Sequence, residues 1–173
     1  MKAEKISVSI EVSKDSELPV LPRFGVRMFL PKELQIVCYF GMGPQESYVD
    51  KHRASYHGLF RNTVSEMHED YIRPQENGSH FDCDFVELSD GQYGLAVGGN
   101  KTFSFNASNY TQEELENTAH NFELEESDST VLCVDYALNG IGSNSCGPQV
   151  QKRYQFDENE FKFEFVIVPF SKR

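Results

Sequence analysis

The amino-acid sequence predicts an all-β fold, an antiparallel β-sandwich with one short helix, and three observations support this class. Apolar and polar residues alternate in most of the segments between turns, as they do in strands that bury one face. Aromatic residues make up 13% of the chain, with 14 Phe and 8 Tyr, and both residue types favour strands. Turn residues recur at short intervals along 173 residues, a length that fits a single domain covering residues 1–173.

The first three predicted strands end at a pronounced turn. In chain order they span residues 5–12, 21–30 and 34–40. The first of them begins so close to residue 1 that we interpret the chain as a piece of a longer protein. After the third strand, Gly41-Met-Gly-Pro44 must turn, because glycine adopts positive φ and proline cannot continue the strand ladder. This turn delivers Gln45, Glu46 and the polar residues after them to one end of the sheet.

The middle of the chain is predicted to mix short strands with irregular segments. Residues 49–60 are polar and irregular, with room for one helical turn. Asn77-Gly78 is a dipeptide typical of tight turns. The predicted strands of this region span residues 63–67, 81–85, 93–97 and 102–105.

The last third of the chain is predicted to contain the helix and the closing strands. Thr111 and Glu114 have the spacing of a capping box, so a helix is predicted over residues 111–119. Residues 131–136 are apolar on both faces, which indicates a central strand. The last two predicted strands, which would pair as a hairpin, span residues 150–156 and 161–170. The predicted total is about ten strands.

The net charge of −11 and the pI of about 4.9 narrow the classes of partner. An acidic surface repels nucleic acid and anionic membranes, so neither is predicted as a partner, whereas an uncharged ligand is compatible with it. No apolar run approaches the roughly 20 residues of a membrane-spanning helix, and no signal-peptide pattern is present. Cys38, Cys83, Cys133 and Cys146 lack the spacing of zinc or redox motifs. These features together predict a cytoplasmic protein.

Glu46 and Glu76 are the best-placed candidates for acid–base chemistry, since each follows a Pro-Gln dipeptide on a turn. Glycoside hydrolysis normally needs two carboxylates roughly 5 to 9.5 Å apart, and spacing along the chain does not pair these two. The alternative is structural, with each carboxylate binding backbone N–H groups or a nearby arginine.

Metal binding and phosphate binding are not predicted. His52, His57 and His68 could gather around a metal with Asp50, but no tight His-x-x-x-His pair supports this arrangement. The Gly-Met-Gly turn leads into proline rather than a helix, so it does not match a phosphate-binding loop. The chain is therefore predicted to hold no metal and no cofactor of its own.

The loop at residues 140–148 is the most suggestive binding segment. Its glycines free the backbone, and its serine and asparagine side chains both donate and accept hydrogen bonds. Such loops often place binding groups on a rigid scaffold, although a flexible surface loop has the same composition.

Four ordered motifs resemble one enzyme family. The first motif is Gly41-Met-Gly-Pro-Gln-Glu-Ser-Tyr-Val-Asp50 and the second is Tyr71-Ile-Arg-Pro-Gln-Glu-Asn-Gly78. The third motif is Phe103-Ser-Phe-Asn-Ala-Ser-Asn-Tyr110 and the fourth is Gly140-Ile-Gly-Ser-Asn-Ser-Cys-Gly-Pro148. In this order and over essentially the whole chain, they resemble the C-terminal domain (domain 5) of bacterial multi-domain β-galactosidases of glycoside hydrolase family 2. In some bacteria this region is a separate small chain.

The resemblance implies a galactose-mutarotase-like supersandwich, of which this chain matches the later part. It also implies an enzyme that hydrolyses terminal β-D-galactosides such as lactose, with catalytic glutamates, Mg²⁺ and Na⁺ on a separate TIM barrel. The expected partners are that catalytic domain or large subunit and the galactoside, in an oligomeric parent enzyme. The chain alone is then expected to hold no catalytic residue and to complete the mouth of the active site. The motif turns expected to build this region contain Gly43, Pro44, Gln45, Glu46, Gln75, Glu76 and Asn77.

The fourth motif departs from the family pattern at one position. The family loop often carries a Trp that forms a platform for the aglycone sugar, and the matching residue here is Cys146. A thiol cannot stack on a pyranose as an indole does, so the preference for acceptors is expected to differ. Asn144, Ser145 and Cys146 are expected to line the aglycone side of the pocket.

Two alternatives from other functional classes stay open. The first is a free-standing galactoside-binding sandwich, which would use exposed aromatic residues near Tyr48, Tyr56 and Tyr71. The second is a mutarotase-like enzyme, which would need His80 as a general acid facing Glu46 or Glu76 as the base.

Overall fold

A forked antiparallel sheet forms the body of the protein. The structure is a computed structural model that describes residues 4–142 and 147–171. Within these residues eight strands belong to one sheet and pair antiparallel, so the predicted all-β antiparallel class is confirmed. The strands are β1 (Ile6–Ser13), β2 (Arg23–Pro31), β3 (Ile36–Gly43), β4 (Tyr56–Thr63), β5 (Ser79–Ser89), β6 (Tyr93–Ser108), β7 (Ser129–Leu138) and β8 (Glu160–Ser171).

Strand β6 lies at the centre of the sheet. On one side it pairs with β5, while on the other its residues 93–99 pair with β8 and its residues 104–108 pair with β7. The main path of the sheet runs β1-β8-β6-β5-β3-β4, and the β7–β2 pair leaves it at β6. The sheet therefore divides at β6 into two branches, β8–β1 and β7–β2.

The two branches pack against each other over a shared apolar core. Phe24 of β2 contacts Phe161 of β8 with ring centroids 5.0 Å apart, and Tyr136 of β7 stacks on the same ring at 4.7 Å. Burying an aliphatic or phenylalanine side chain contributes about 1.5–3 kcal/mol. One forked sheet thus supplies both layers of the predicted sandwich. The fully buried side chains of this core include Val37, Tyr39, Val86, Leu88, Val97, Phe105, Leu132 and Val134.

Three segments were assigned wrongly in the predicted strand pattern, and a fourth, residues 63–67, is described with the helical turns below. Residues 49–60 were predicted to be irregular, yet they contain most of β4, because pairing along β3 overrides a sequence without clean alternation. Residues 93–97 and 102–105 belong to the single strand β6 rather than to two. Residues 150–156 lie outside the sheet and contain the 3₁₀ turn Lys152–Tyr154, so they form no hairpin with β8.

Helix α1 spans Gln112–Asn117, inside the predicted helical segment. The Thr111 hydroxyl oxygen accepts the backbone N–H of Glu114 at 3.0 Å, which confirms the predicted N-cap. The reciprocal half of the predicted capping box was wrong, because the Glu114 carboxylate accepts the Thr118 hydroxyl and the Glu125 N–H, each at 3.0 Å, instead of the Thr111 N–H.

The remaining helical turns are short 3₁₀ segments. Residues 63–67, predicted to be extended, include the 3₁₀ turn Ser65–Met67. A further 3₁₀ turn spans Asn121–Glu123. Across residues 4–142 and 147–171, no helix combines the length and apolar composition needed to cross a membrane.

Candidate functional site

The four sequence motifs are joined to one another by hydrogen bonds. The first and second motifs meet where the Glu46 carboxylate accepts the backbone N–H of Gly78 at 2.9 Å. The second and third meet where the Asn106 side-chain amide donates to the carbonyl of Asn77. The first and fourth meet where the Asp50 carboxylate accepts backbone N–H groups of the fourth motif. Segments far apart in the sequence therefore form one connected assembly.

Glu46 is the centre of this assembly. Its side chain is almost fully buried, and its carboxylate accepts hydrogen bonds from the Lys51 ammonium and from the hydroxyl of Tyr71. The Tyr48 hydroxyl donates to the same carboxylate at 3.2 Å. Together with the Gly78 N–H, four donors converge on two oxygens. We call Glu46 and these four donors the Glu46 junction.

The charge state of Glu46 follows from these contacts. Burial alone would raise the pKa of Glu46, but the hydrogen bonds from Lys51, Tyr71 and Gly78 outweigh burial and hold the pKa below its ordinary value. Glu46 is therefore a carboxylate at neutral pH. A general acid needs a raised pKa, so these contacts favour the structural interpretation of Glu46 over the catalytic one.

The second motif has a backbone that only a few residue types can adopt. Gly78 has a φ of +69°, and a Cβ at this position would lie 2.4 Å from the carbonyl oxygen of Met67. The Asn77 side chain accepts the N–H of Glu69 at 2.9 Å and donates to the carbonyl of Gln75 at 2.9 Å. The predicted Asn-Gly turn is thus held by the asparagine side chain and aimed at Glu46 by the glycine backbone.

The other residues of the first two motif turns either shape the backbone or lie at the surface. Gly43 and Pro44 are joined by a cis peptide bond at the end of β3. Gln45 and Gln75 are exposed. Ser47 is buried, and its hydroxyl donates to the carbonyl of Met42 at 3.2 Å. The turn is therefore anchored by backbone and hydroxyl groups, and its glutamine side chains are left at the surface.

Glu76 belongs to a second ionic group. Its carboxylate accepts a hydrogen bond from the Arg23 guanidinium. The same guanidinium binds both carboxylate oxygens of Asp135, each at 2.7 Å. Asp135 is buried, while the Glu76 side chain is 41% exposed. Glu76 therefore binds a nearby arginine, as the structural alternative predicted, whereas neither Arg23 nor Asp135 was predicted from the sequence as a site residue.

Asp50 attaches the fourth motif to the first. Its Oδ1 accepts the N–H of Ile141 at 3.0 Å, and its Oδ2 accepts the N–H of Gly142 at 2.8 Å. The carbonyl of Tyr154 accepts the N–H of Gly140 at 2.8 Å from the other side. The predicted pocket residues Asn144, Ser145 and Cys146 lie outside the described residues, so their placement stays a prediction.

A cleft of about 560 Å³ lies beside the Glu46 junction. Its walls combine hydrogen-bond donors, carboxylates and the rings of His52 and Tyr71, a composition suited to an uncharged ligand with many hydroxyl groups. Within the cleft the Lys51 ammonium donates a hydrogen bond to the Tyr71 hydroxyl at 3.0 Å. The lining residues include Asp50, Lys51, Arg53, Ser55, Asp70 and Tyr71.

The face of the sheet opposite the core, which we call the outer face, carries an apolar row bordered by charged and polar side chains such as Arg61, Glu87 and Glu164. Leu59 is 65% exposed and Phe40 is 37% exposed. A groove of about 650 Å³ runs along this face over β5, β6 and β8. Exposed apolar side chains rimmed by polar ones are typical of an interface. Strand register places one row across six strands in the order Leu59, Phe40, Phe85, Gly98, Val166 and Ser7.

The residues proposed for alternative chemistry are in states unsuited to proton transfer. His80 is 2% exposed, and it packs against the rings of Tyr39 and Phe105, which also contact each other. Burial lowers the pKa of His80 to about 4, so it is neutral at pH 7 and cannot act there as a general acid. The Glu46 carboxylate is already bound by four donors, so it is not free to act as the base for His80. These contacts argue against a mutarotase-like pair.

The histidines considered for a metal are used in other contacts. His52 binds the carbonyl of Tyr48 through Nδ1 at 3.0 Å, and His57 lies 3.2 Å from the Asp84 carboxylate. His68 contacts the Asn77 amide. In the part of the chain that the structure describes, no group of three or more His, Cys, Asp or Glu side chains could hold a metal ion.

The aromatic residues proposed for sugar binding differ in exposure. Tyr48 is buried in the Glu46 junction, and Tyr71 is half-buried at the wall of the cleft. Tyr56 is 63% exposed but packs edge-on against Phe60 of its own strand. Only Tyr71 of these three rings therefore lines the described cleft.

The buried His80 makes a testable contribution to the pH dependence of stability. As the pH falls from 6.5 towards 4, the unfolded chain binds a proton at this histidine and the folded chain does not. We expect this histidine alone to remove about 3 kcal/mol of stability over that range. Urea unfolding at several pH values should show a shallower acid loss in His80→Asn than in the wild-type chain. The exposed His120→Asn variant is the control, and equal pH profiles for all three proteins would contradict the prediction.

Comparison with known proteins identifies relatives over nearly the whole chain. Residues 1–167 match the family model described as the β-galactosidase small chain. A β-galactosidase from Actinobacillus pleuropneumoniae is 49% identical over 164 residues, which are 95% of this chain and 16% of that protein. One from Staphylococcus xylosus is 44% identical over 162 residues, 94% of this chain and 16% of that protein. One from Kluyveromyces lactis is 31% identical over 165 residues, again 94% of this chain and 16% of the relative.

Proposed function

Because the chain belongs to the β-galactosidase small-chain family, we propose that it works as the non-catalytic C-terminal domain of a β-galactosidase. In this proposal the complete enzyme hydrolyses terminal β-D-galactosides such as lactose in the cytoplasm. The chain spans only 16% of the length of the relatives it matches, so the catalytic glutamates and the Mg²⁺ and Na⁺ ions are assigned to a separate TIM-barrel domain or large subunit.

One observation carries the proposal. The two glutamates best placed for acid–base chemistry, Glu46 and Glu76, are both bound to structural partners, Lys51 and Arg23 among them. A carboxylate surrounded by donors is poorly suited to exchange protons with a substrate. The assembly is instead suited to holding loops in place, and the loop that it holds through Asp50 is the fourth motif.

The outer face supports a role in assembly. In the relatives, most of the polypeptide lies outside the region that this chain matches. We assign that remaining β-galactosidase polypeptide, in an oligomeric enzyme, as the occupant of the outer face. Asp84 and Glu164 border the groove in a chain of net charge −11, so the occupant is expected to present basic residues beside its apolar surface.

A chimeric enzyme tests the proposal. The matching region of the Actinobacillus β-galactosidase would be replaced by this chain, and lactose hydrolysis would be measured for the chimera and for the isolated chain. We expect activity from the chimera and none from the chain alone. Hydrolysis by the isolated chain, or a folded and assembled chimera without activity, would contradict the proposal.

A free-standing galactoside-binding module remains the second candidate, and the cleft beside the Glu46 junction is the observation that favours it. Calorimetric titration of the isolated chain with lactose and with galactose separates the two. Saturable binding that disappears when Tyr71 is replaced by Ala would favour the second candidate. The first candidate predicts no such binding, because the fourth motif would need the catalytic domain to complete a pocket.

Cys146 is expected to influence the aglycone rather than the galactose. In the chimera, Cys146→Trp should change the KM for lactose by about two- to tenfold through stacking, with little change in kcat. A nitrophenyl galactoside, whose aglycone is a flat ring, should respond differently. Cys146→Ser is the matched control without an aromatic ring. If both variants have the same KM and kcat as the wild-type chimera for lactose and for the nitrophenyl galactoside, the proposed position of Cys146 is wrong.

A further inference from the structure

We infer that one segment of the remaining β-galactosidase polypeptide docks in the groove of the outer face, with an apolar side chain seated on Gly98 and a cationic side chain paired with Glu87. The source of this segment rests on the proposed function. The chemistry of the two contacts rests only on described residues, so the two parts can fail separately.

The first step is the apolar row that crosses the groove. Phe85 of β5 lies opposite Gly98 on one side, and Val166 of β8 lies opposite it on the other. The flanking strands β5 and β8 lie about 10 Å apart, because each is one strand spacing from β6. Between these two larger side chains, Gly98 leaves the floor of the groove bare. The row therefore has a depression that one inserted side chain would fill.

The second step is that no described part of the chain requires glycine at position 98. Its φ lies outside the left-handed region, and a Cβ there would lie 3.5 Å from the carbonyl oxygen of Asp84 and 3.8 Å from the Cβ of Phe85. Both are ordinary van der Waals distances. By contrast, the Phe170 ring would lie only 2.7 Å from a Cβ at Gly94 on the same strand. Glycine inside a strand weakens it and often marks a close approach by another molecule, which fits Gly98.

The third step is a carboxylate without a cation. Asp84, Glu87 and Glu164 line the groove. Asp84 lies 3.2 Å from the histidine of β4, and Glu164 lies 2.9 Å from the Lys162 ammonium. Glu87 is half-buried and has no cationic partner in the part of the chain that the structure describes. Arg61 shares its row but lies two strands away and forms no ion pair with it. A cation from the occupant would complement this charge.

The fourth step is that one segment can make both contacts. Glu87 pairs with Ala96, so Gly98 is its diagonal neighbour at about 7–8 Å. Alternate residues of an extended chain point to the same side and are about 6.7 Å apart. An apolar and a basic residue two positions apart would therefore reach both points. The matched region is only 16% of the Actinobacillus enzyme, so most of that polypeptide is available to supply such a segment.

The experiment measures how fast hydroxyl radicals oxidise Phe85 in the isolated chain and in the chimera, with mass spectrometry as the readout. Gly98→Val fills the floor of the groove, Gly98→Ala fills less of it, and Glu87→Gln removes the charge. Ser13→Val is the matched control, because it adds the same branched side chain to the outer face of β1 outside the groove. Urea unfolding of the isolated variants separates docking from folding.

We expect Phe85 to be oxidised several-fold more slowly in the wild-type chimera than in the isolated chain. Gly98→Val should remove most of this protection, and Gly98→Ala should remove part of it. In the isolated chain both should leave the urea midpoint unchanged or raise it, because a side chain there fits and favours the strand. Glu87→Gln should lower the protection and make it insensitive to salt, whereas Ser13→Val should keep it.

Equal oxidation of Phe85 in the chimera and in the isolated chain would overturn the docking, even if the chimera hydrolyses lactose. Full protection in Gly98→Val, or a lower urea midpoint for the isolated variant, would overturn the role of Gly98. Protection that appears in the isolated chain as its concentration rises would assign the groove to a second copy and overturn the occupant. A folded chimera with protected Phe85 but no activity would contradict the proposed function alone.

Discussion

Replacing Asp135 by Ala is expected to lower the free energy of unfolding by about 3–5 kcal/mol. Asp135 is buried in β7 and binds the Arg23 guanidinium with both oxygens at 2.7 Å. The alanine variant leaves that guanidinium, whose side chain is only 24% exposed, with the partly exposed Glu76 as its remaining ionic partner. Removing one member of a buried ion pair costs more than the pair itself contributes, because the other charge stays out of water.

Urea unfolding at pH 7 measures this effect. The control is Asp157→Ala, which removes an exposed carboxylate from the segment before β8 and should change stability by less than about 0.5 kcal/mol. The double variant Arg23→Met with Asp135→Leu replaces both charges by apolar side chains and should recover much of the loss. A loss in Asp135→Ala no larger than that of the control would show that the pair does not hold β2 against β7.

Replacing Glu46 by Ala is expected to cost about 2–4 kcal/mol of stability and to lower the activity of the chimera as well. The variant leaves the N–H of Gly78 buried without its acceptor and removes the common partner of Tyr48, Lys51 and Tyr71. Since Tyr48 and Lys51 form the turn that carries Asp50, the fourth motif should also lose its fixed start. Loss of stability and loss of function should therefore appear together.

The pH dependence identifies the carboxylate as the cause. The pKa of Glu46 is held below its ordinary value of 4.5 in the folded chain, so its contribution is present above about pH 4.5 and disappears as the pH falls below it. The stability difference between wild type and Glu46→Gln should accordingly be full at pH 7 and shrink below pH 4.5. The exposed Glu33→Ala variant should show no such pattern. A difference that stays constant down to pH 3 would mean that the packing of the side chain matters and its charge does not.

Strands β1 and β8 were predictable because the alternation of their apolar and polar residues survives in the structure. Residues 5–12 and 161–170 match β1 and β8, which pair along their length with the apolar residues on one face. Strand β4 was missed because its apolar and polar residues do not alternate regularly. It is an edge strand, and pairing with β3 alone holds it in the sheet. Residues 150–156 have a strand-like composition, but they contribute Phe156 to the core without joining a ladder.

The candidate site was predictable only in part. Pro44 and Asn77 are turn residues, and they correctly predicted that Glu46 and Glu76 lie on turns. Both glutamates were also correctly predicted to have a structural option, since Glu46 binds a backbone N–H and Glu76 binds an arginine. Their partners could not be paired from the sequence, because Arg23 and Asp135 are 112 residues apart. A charged residue inside an otherwise apolar central strand was the available signal for Asp135, since a buried charge needs a partner.

The fork at β6 has a consequence for handling the protein in isolation. An unbranched sheet has two margins, whereas this one has three in the described residues, at β1, β2 and β4. Each margin offers unpaired backbone groups to another molecule, which is the usual route to aggregation of β proteins. Mutual repulsion from eleven surplus negative charges opposes this association at neutral pH and vanishes near the pI of about 4.9. Purified material should therefore stay dispersed at pH 7 to 8 and precipitate on mild acidification.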